Sequence, residues 1–206
     1  MSIVLKGLEA QPGYRLLERA IRERQLPAAV TGLSQIHKAL FIHALCEDGG
    51  KPGARRGRKT VVLTADEAEA NRMVEDLRAL GTNALVYPAR ELSLRRVETA
   101  SREYEQQRLG VLAHVAEGDY DCVLACVDAA LQRTLPPDSL LEHTLELVAG
   151  KPLPVADLAA ELVRAGYERC GQIEGPGQFA VRGGIFDVYP AAWTARCWPS
   201  CCTKRA

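Results

Sequence analysis

The chain has 206 residues, of which 47% are hydrophobic, 25% charged and 5% aromatic. That is the composition of one large globular domain or two small ones, not of a disordered chain. Twenty-six basic and 26 acidic side chains cancel to a formal charge of zero, which disfavours a strongly basic nucleic-acid binder, because counterion release needs a surplus of Lys and Arg. No apolar run approaches the ~20 residues of a membrane span, and the N-terminus lacks a basic-then-apolar signal pattern, so a cytoplasmic protein with no membrane partner is expected.

Residues 12–25 read as a helix, since Pro12 suits a first turn and Leu16, Leu17, Ala20 and Ile21 recur at helical spacing. Ala28-Ala29-Val30, followed by Thr31-Gly32, predicts a buried strand ending in a turn. A helix is expected over about 36–47, with Leu40, Phe41, Ala44 and Leu45 as its apolar face. The stretch Lys51 to Lys59 holds five basic residues with no aromatic interleaved, the pattern of a solvated connection more than of a phosphate-contacting loop. Val61 to Thr64 is a second buried strand. Thr64 to Glu67 has capping-box spacing, and Ala70, Met73, Val74, Leu77 and Leu80 define a helix that stops at Gly81. Ala84 to Tyr87 is a third strand cut off by Pro88, 99–117 a long amphipathic helix, and Cys122 to Val127 a fourth strand. Strands alternating with helices, each strand apolar on both faces, imply right-handed crossovers and a parallel sheet. Residues 1–133 therefore read as an α/β layer domain.

Pro136-Pro137 marks a change of character. A helix over about 155–165 closes at Gly166, and two β-rich pieces, Gln178 to Arg182 and Ile185 to Tyr189, are joined by Gly183-Gly184. This makes a small α+β unit over 134–192, too small to bury an ample core without leaning on its neighbour. The seven cysteines include no Cys-x-x-Cys pair of the kind that closes a zinc site, so Cys46, Cys122, Cys126 and Cys170 are expected to be reduced thiols. His37, His43, His114 and His143 stand apart from any nucleophile motif, and His37 and His43 are six residues apart, off the i, i+4 spacing of helical metal ligands. No metal site and no catalytic residue is expected.

The sharpest local feature is Gly32-Leu-Ser-Gln-Ile-His37-Lys38-Ala39, placed after an expected strand and opening a helix. A working phosphate loop reads G-x-x-x-x-G-K-[ST]. Here Gly32 and Lys38 match and the other two fixed positions do not. His37 puts a ring where a glycine lets the backbone approach the phosphates. Ala39 has no hydroxyl to hold magnesium, and Lys38 alone is a point charge. Asp66, Glu67 and Asp128 are better explained as first-turn helix acids than as a metal-binding strand end. The loop reads as the shell of a nucleotide site: a degenerate P-loop NTPase-like core.

Two segments carry a family resemblance. Thr31 to Leu40 is similar to the N-terminal region of the bacterial transcription-repair coupling factors. The segment Ala165-Gly-Tyr-Glu-Arg169, followed by Gly175-Pro-Gly-Gln-Phe-Ala-Val-Arg-Gly-Gly-Ile-Phe-Asp-Val-Tyr-Pro190, resembles that family's more specific signature. The signature is shared in outline with the excision-repair B subunit (UvrB), whose first two domains the N-terminal module resembles. The resemblance implies a non-catalytic module whose small domain docks the excision-repair A subunit (UvrA). It also implies that ATP, Mg2+, DNA and RNA polymerase are handled by the motor and polymerase-gripping regions of longer family members. The rival reading is an active nucleotide-dependent DNA-strand-opening enzyme of the B-subunit type, against which Ala39 already counts.

Alternation along the strands predicts Phe179, Val181 and Ile185 on one face and Arg182 and Phe186 on the other. An exposed Arg beside an aromatic has the make-up of an interface hot spot, and Arg169 adds a second cation, so Arg169, Phe179, Arg182 and Phe186 are the candidate docking residues. Trp193 to Ala206 departs from the family's pattern, with two tryptophans and three cysteines in fourteen residues. It is expected to be a non-family tail, disordered or frameshifted, which would deprive the first domain of closing strands.

Overall fold

A computed structural model describes residues 6–8, 10–48, 58–90, 103–145 and 154–190. The basic stretch 51–57, the start of the helix expected from residue 99 and the tail 193–206 lie outside these residues. The element order is α1 (Pro12–Arg22), α2 (Gln35–Asp48), β1 (Thr60–Thr64), α3 (Glu67–Ala79), β2 (Ala84–Tyr87), α4 (Glu103–Glu117), β3 (Cys122–Cys126), α5 (Val127–Leu131), α6 (Pro137–Glu142), α7 (Val155–Arg164), β4 (Glu168–Arg169), β5 (Gln178–Arg182) and β6 (Ile185–Tyr189).

β1, β3 and β2 form a three-stranded parallel sheet with β3 in the centre. β3 is buried at every position, as a central parallel strand between layers must be. Helices α2 and α3 cover one face. Ala39 and Cys46 from α2 and Ala70, Met73, Val74 and Leu77 from α3 pack with Ala84, Cys122 and Leu124 of the sheet into the main core. The i, i+3, i+4, i+7 spacing of the four α3 residues puts them in one stripe, so the periodicity that predicts the helix also builds the core.

Three expectations need correction here. Ala28 to Val30 is no strand: it is irregular and exposed, with Val30 at 45%. Two alanines and one valine bury too little apolar surface to hold a strand in place, and among the described residues no strand flanks the outer edge of β1. β1 is not buried on both faces either, because Val61 and Leu63 are 67% and 61% exposed on the face away from α2 and α3. The cap of α3 is shifted by two residues. The Asp66 carboxylate accepts from the Glu69 amide at 2.7 Å and Glu69 accepts from the Ala65 amide at 3.3 Å, whereas Thr64 Oγ1 donates to the carbonyls of Asp66 at 2.8 Å and Ala125 at 3.5 Å. Asp is the better N-cap acceptor, and the Glu three residues on reaches back to the amide just before the cap.

The second sheet is mixed. β4 pairs in parallel with β5, and β5 pairs antiparallel with β6. Leu158 and Leu162 of α7 close over it, with Phe179 fully buried beneath them. No helix of the described residues is long and apolar enough to cross a membrane.

Candidate docking site

The hairpin β5–β6 turns through Gly183 and Gly184, with Gly183 at φ +59°, a conformation that a residue with a Cβ adopts at a steric cost. A two-residue turn makes Arg182 and Ile185 direct partners, and the pairing continues as Val181 with Phe186, Ala180 with Asp187, Phe179 with Val188 and Gln178 with Tyr189. Partners across an antiparallel ladder share a face. Phe179, Val181, Phe186 and Val188 therefore form the face under α7, and Arg182, Ile185 and Asp187 lie on the opposite face.

This corrects the expected assignment for two residues. Counting alternation straight through the turn sends Ile185 inward and Phe186 outward; pairing across the turn reverses both. Phe186 stacks on Phe179 with ring centroids 5.5 Å apart and planes at 9°, and Phe179 is 0% exposed. Phe179 is the floor of the sheet, with Phe186 half-buried beside it.

On the opposite face the Arg182 guanidinium donates to Asp187 Oδ2 at 2.6 Å, with the Arg182 side chain still 62% exposed. Ile185 and Tyr189 are each 43% exposed. A cation held by one carboxylate beside an exposed aliphatic is the result. Arg169, exposed on β4 at the sheet's edge, sits in register with Phe179, so it lies on the α7 side of the sheet and away from the Arg182–Asp187 pair. The loop leading into β5 is fixed by the Gln178 side chain, whose Oε1 accepts from the amides of Glu174 at 2.8 Å and Gly175 at 3.1 Å.

The loop before α2 is arranged differently from a phosphate cradle. Gly32 holds φ +80° in the open. Ser34 Oγ and His37 Nδ1 lie 2.9 Å apart, and the Lys38 amide donates to the Ser34 carbonyl at 2.9 Å to start the helix. Lys38 Nζ lies 3.5 Å from Glu69 Oε1, so its charge faces the acidic first turn of α3. Ala39 is 0% exposed within the main core. Its methyl group fills space between α2, α3 and the sheet, where a hydroxyl would be buried.

Several residues that matter here carry no local sequence signal. Asp187 becomes Arg182's partner only through the hairpin register. Arg108 of α4 is 2% exposed, lies 4.0 Å over the Tyr87 ring, and donates Nη1 to the Pro88 carbonyl at 2.6 Å and to Gln132 Oε1 at 3.2 Å. Burial draws its guanidinium below its ordinary pKa. His43, buried on α2, lies 2.8 Å from Thr82 Oγ1 through Nδ1. Among the described residues no three His, Cys, Asp or Glu side chains are grouped to hold a metal ion.

Comparison with known proteins places this surface in a context. A family model described as the UvrB interaction domain matches residues 145–198, which contain α7 and all three strands of the second sheet. Over 180 residues, 86% of the chain, the sequence is 33% identical to the transcription-repair-coupling factor of Bacillus subtilis. It is 25% identical over 167 residues to that of Staphylococcus epidermidis and 23% identical over 168 residues to that of Staphylococcus aureus. The chain spans only 14–15% of the length of these relatives. By its 33% identity to the Bacillus subtilis protein over 86% of its length, the chain belongs to the transcription-repair-coupling factor family.

Proposed function

We propose that the second sheet is a protein-docking surface for the excision-repair A subunit (UvrA), and that the chain is the adaptor module of a transcription-repair-coupling factor. The observation that carries this reading is the exposed Arg182, steered by Asp187 and flanked by Ile185, within the region matched as a UvrB interaction domain. An acidic group on the partner can share the guanidinium, which has donors to spare beyond the one given to Asp187. Ile185 supplies apolar area beside it, and Arg169 adds a cation at the sheet edge. An anchor of this kind, small in area and rich in Arg, is how a few residues come to dominate a protein interface.

In this reading the α/β layer is a degenerate P-loop core that hydrolyses no nucleotide and carries the docking sheet. ATP and Mg2+ belong to the motor of longer family members. RNA polymerase and DNA meet regions of those proteins outside this chain, and the adaptor brings the excision-repair A subunit to stalled polymerase. The strand-opening enzyme reading is not favoured, because Ala39 is a core methyl group and Lys38 faces Glu69.

Calorimetric titration of the purified chain with the A subunit, wild type beside Arg182→Ala, tests the reading. A complex weakened tenfold or more by the substitution, about 1.4 kcal/mol, is expected. Binding that ignores Arg182→Ala would move the site elsewhere, and no binding by a folded chain would end the docking reading.

A further inference from the structure

Gly177 sits where the three strands of the second sheet converge. Its amide donates to the Tyr189 carbonyl at 2.8 Å, and its carbonyl accepts from the Glu168 amide at 2.9 Å, so one residue ties β4, β5 and β6 together. It holds φ +78°, and a Cβ built on it would lie 2.8 Å from Nε2 of Gln106. Glycine is demanded by the backbone conformation, and a Cβ there would also push the Gln106 amide aside.

Gln106 comes from the other sheet's side of the molecule. It lies on α4, 70 residues away in sequence, and its Nε2 donates to the Pro176 carbonyl at 2.7 Å. The helix that carries it is firmly seated. Two residues along, the buried Arg108 holds the segment after β2 through the Pro88 carbonyl and meets Gln132, whose own side chain bonds the backbone of Arg90 in both directions at 2.7 and 3.2 Å. Helix α6 packs against α4 as well. A rigid helix therefore extends one side chain to the residue that joins the strands of the second sheet.

We infer that Gln106 is a positioning residue: through Pro176 and the Cβ-free Gly177 it fixes the angle at which the second sheet is presented from the α/β layer. The functional meaning rests on the reading of that sheet as the docking surface; the positioning itself does not. The contact lies at the start of β5, the strand that ends in Arg182, so a tilt here swings Arg182 and Ile185 as one body.

Backbone 15N relaxation on the full chain tests this without any partner. Fitted in one molecular frame, order parameters over 168–189 are expected to match those of the parallel sheet, near ~0.85, in the wild type, and to fall below ~0.6 in Gln106→Ala. Gln106→Glu, which keeps the shape and loses the donor, should behave like Gln106→Ala. Gly177→Ala should also release the sheet, and because it strains the backbone it is read only beside the two Gln106 variants. Unchanged order parameters in Gln106→Ala would overturn the inference, as would a wild type whose two sheets already tumble apart. A Gln106→Glu protein that stays locked would replace the hydrogen bond with simple packing. If the folded wild-type chain failed to bind the A subunit while Gln106→Ala freed the sheet, the docking reading would fail and the positioning would stand.

Discussion

Replacing the stacked rings Phe179 and Phe186 by leucine, singly and together, tests the register of the docking hairpin. Phe179 is fully buried among Leu158, Leu162, Val181 and Val188. Phe179→Ala should remove roughly 3–5 kcal/mol, more than a unit this small can lose and stay folded. Leucine keeps most of the volume, so each single change should cost only about 1–1.5 kcal/mol and leave the sheet assembled. The ring–ring contact adds roughly 0.5–1.5 kcal/mol beyond area burial, and either leucine abolishes it entirely. The double variant should therefore be less destabilised than the sum of the two singles by about that amount. Native-state amide exchange of the β5 amides reads the opening free energy of this sheet without requiring the two sheets to unfold together. Additivity to within roughly 0.3 kcal/mol would mean that the rings do not meet. It would refute the shared face and restore the straight alternation that puts Phe186 outside.

Four further outcomes follow from the same geometry. Asp66→Ala should lower stability by about 1 kcal/mol through loss of the α3 cap, whereas Thr64→Val should cost less; urea titration of both variants ranks them, and a costlier Thr64→Val would return the cap to Thr64. Ala39→Ser restores the hydroxyl of a phosphate loop but buries it in the core, so melting should fall by roughly 1–3 kcal/mol with no saturable, Mg2+-dependent binding of a fluorescent ATP analogue; such binding would revive the nucleotide site. Arg182→Ala should change stability by less than about 1 kcal/mol, because its pair with Asp187 is largely exposed; a larger loss on thermal melting would make Arg182 a structural residue. Cys46 titrates at about 7, drawn down by its hydrogen bond with the Cys122 thiol, while Cys122 is pushed far up by the same contact and by burial. Between pH 7 and 9 the unfolded chain holds the Cys46 proton that the folded chain has lost, so stability should rise with pH. Above 9 the folded chain keeps the Cys122 proton that the unfolded chain loses, and stability should fall; a wild-type profile parallel to that of Cys46→Ala would contradict this.

The parts of the fold that are legible in the sequence are those written in near neighbours. The apolar stripe of α3, the glycine stops at 81 and 166 and the two-residue hairpin at 183–184 each depend on residues within one or two turns of chain, and each stands where the sequence puts it. The loop at 32–39 shows how far such reading goes. Its motif positions can be compared with the phosphate-loop pattern from sequence, but only packing reveals that Ala39 belongs to the core and that Lys38 faces Glu69 from the next helix. Ala28 to Val30 has the hydropathy of a strand and lacks the neighbour that would make it one. The faces of β6 could be predicted only by pairing across the turn, since residue spacing is continuous in sequence and the parity of the ladder is not. Gln106 and Arg108 are polar residues on an amphipathic helix and look like surface. Their partners are carbonyls far along the chain, invisible to any local pattern.

The outer edge of β1 has a consequence for handling the molecule. Its backbone faces no further strand among the described residues, and Val61 and Leu63 stand largely in water beside it. An unpaired edge with aliphatic side chains is a template for another chain's strand. In concentrated solution, self-association should therefore begin at this edge rather than at the docking sheet, whose Arg182 and Asp187 make a charged, unfavourable landing for a second copy. Val61→Lys, which puts a charge on that edge, is the change that should keep the purified chain monomeric while leaving Arg182 and its surroundings untouched.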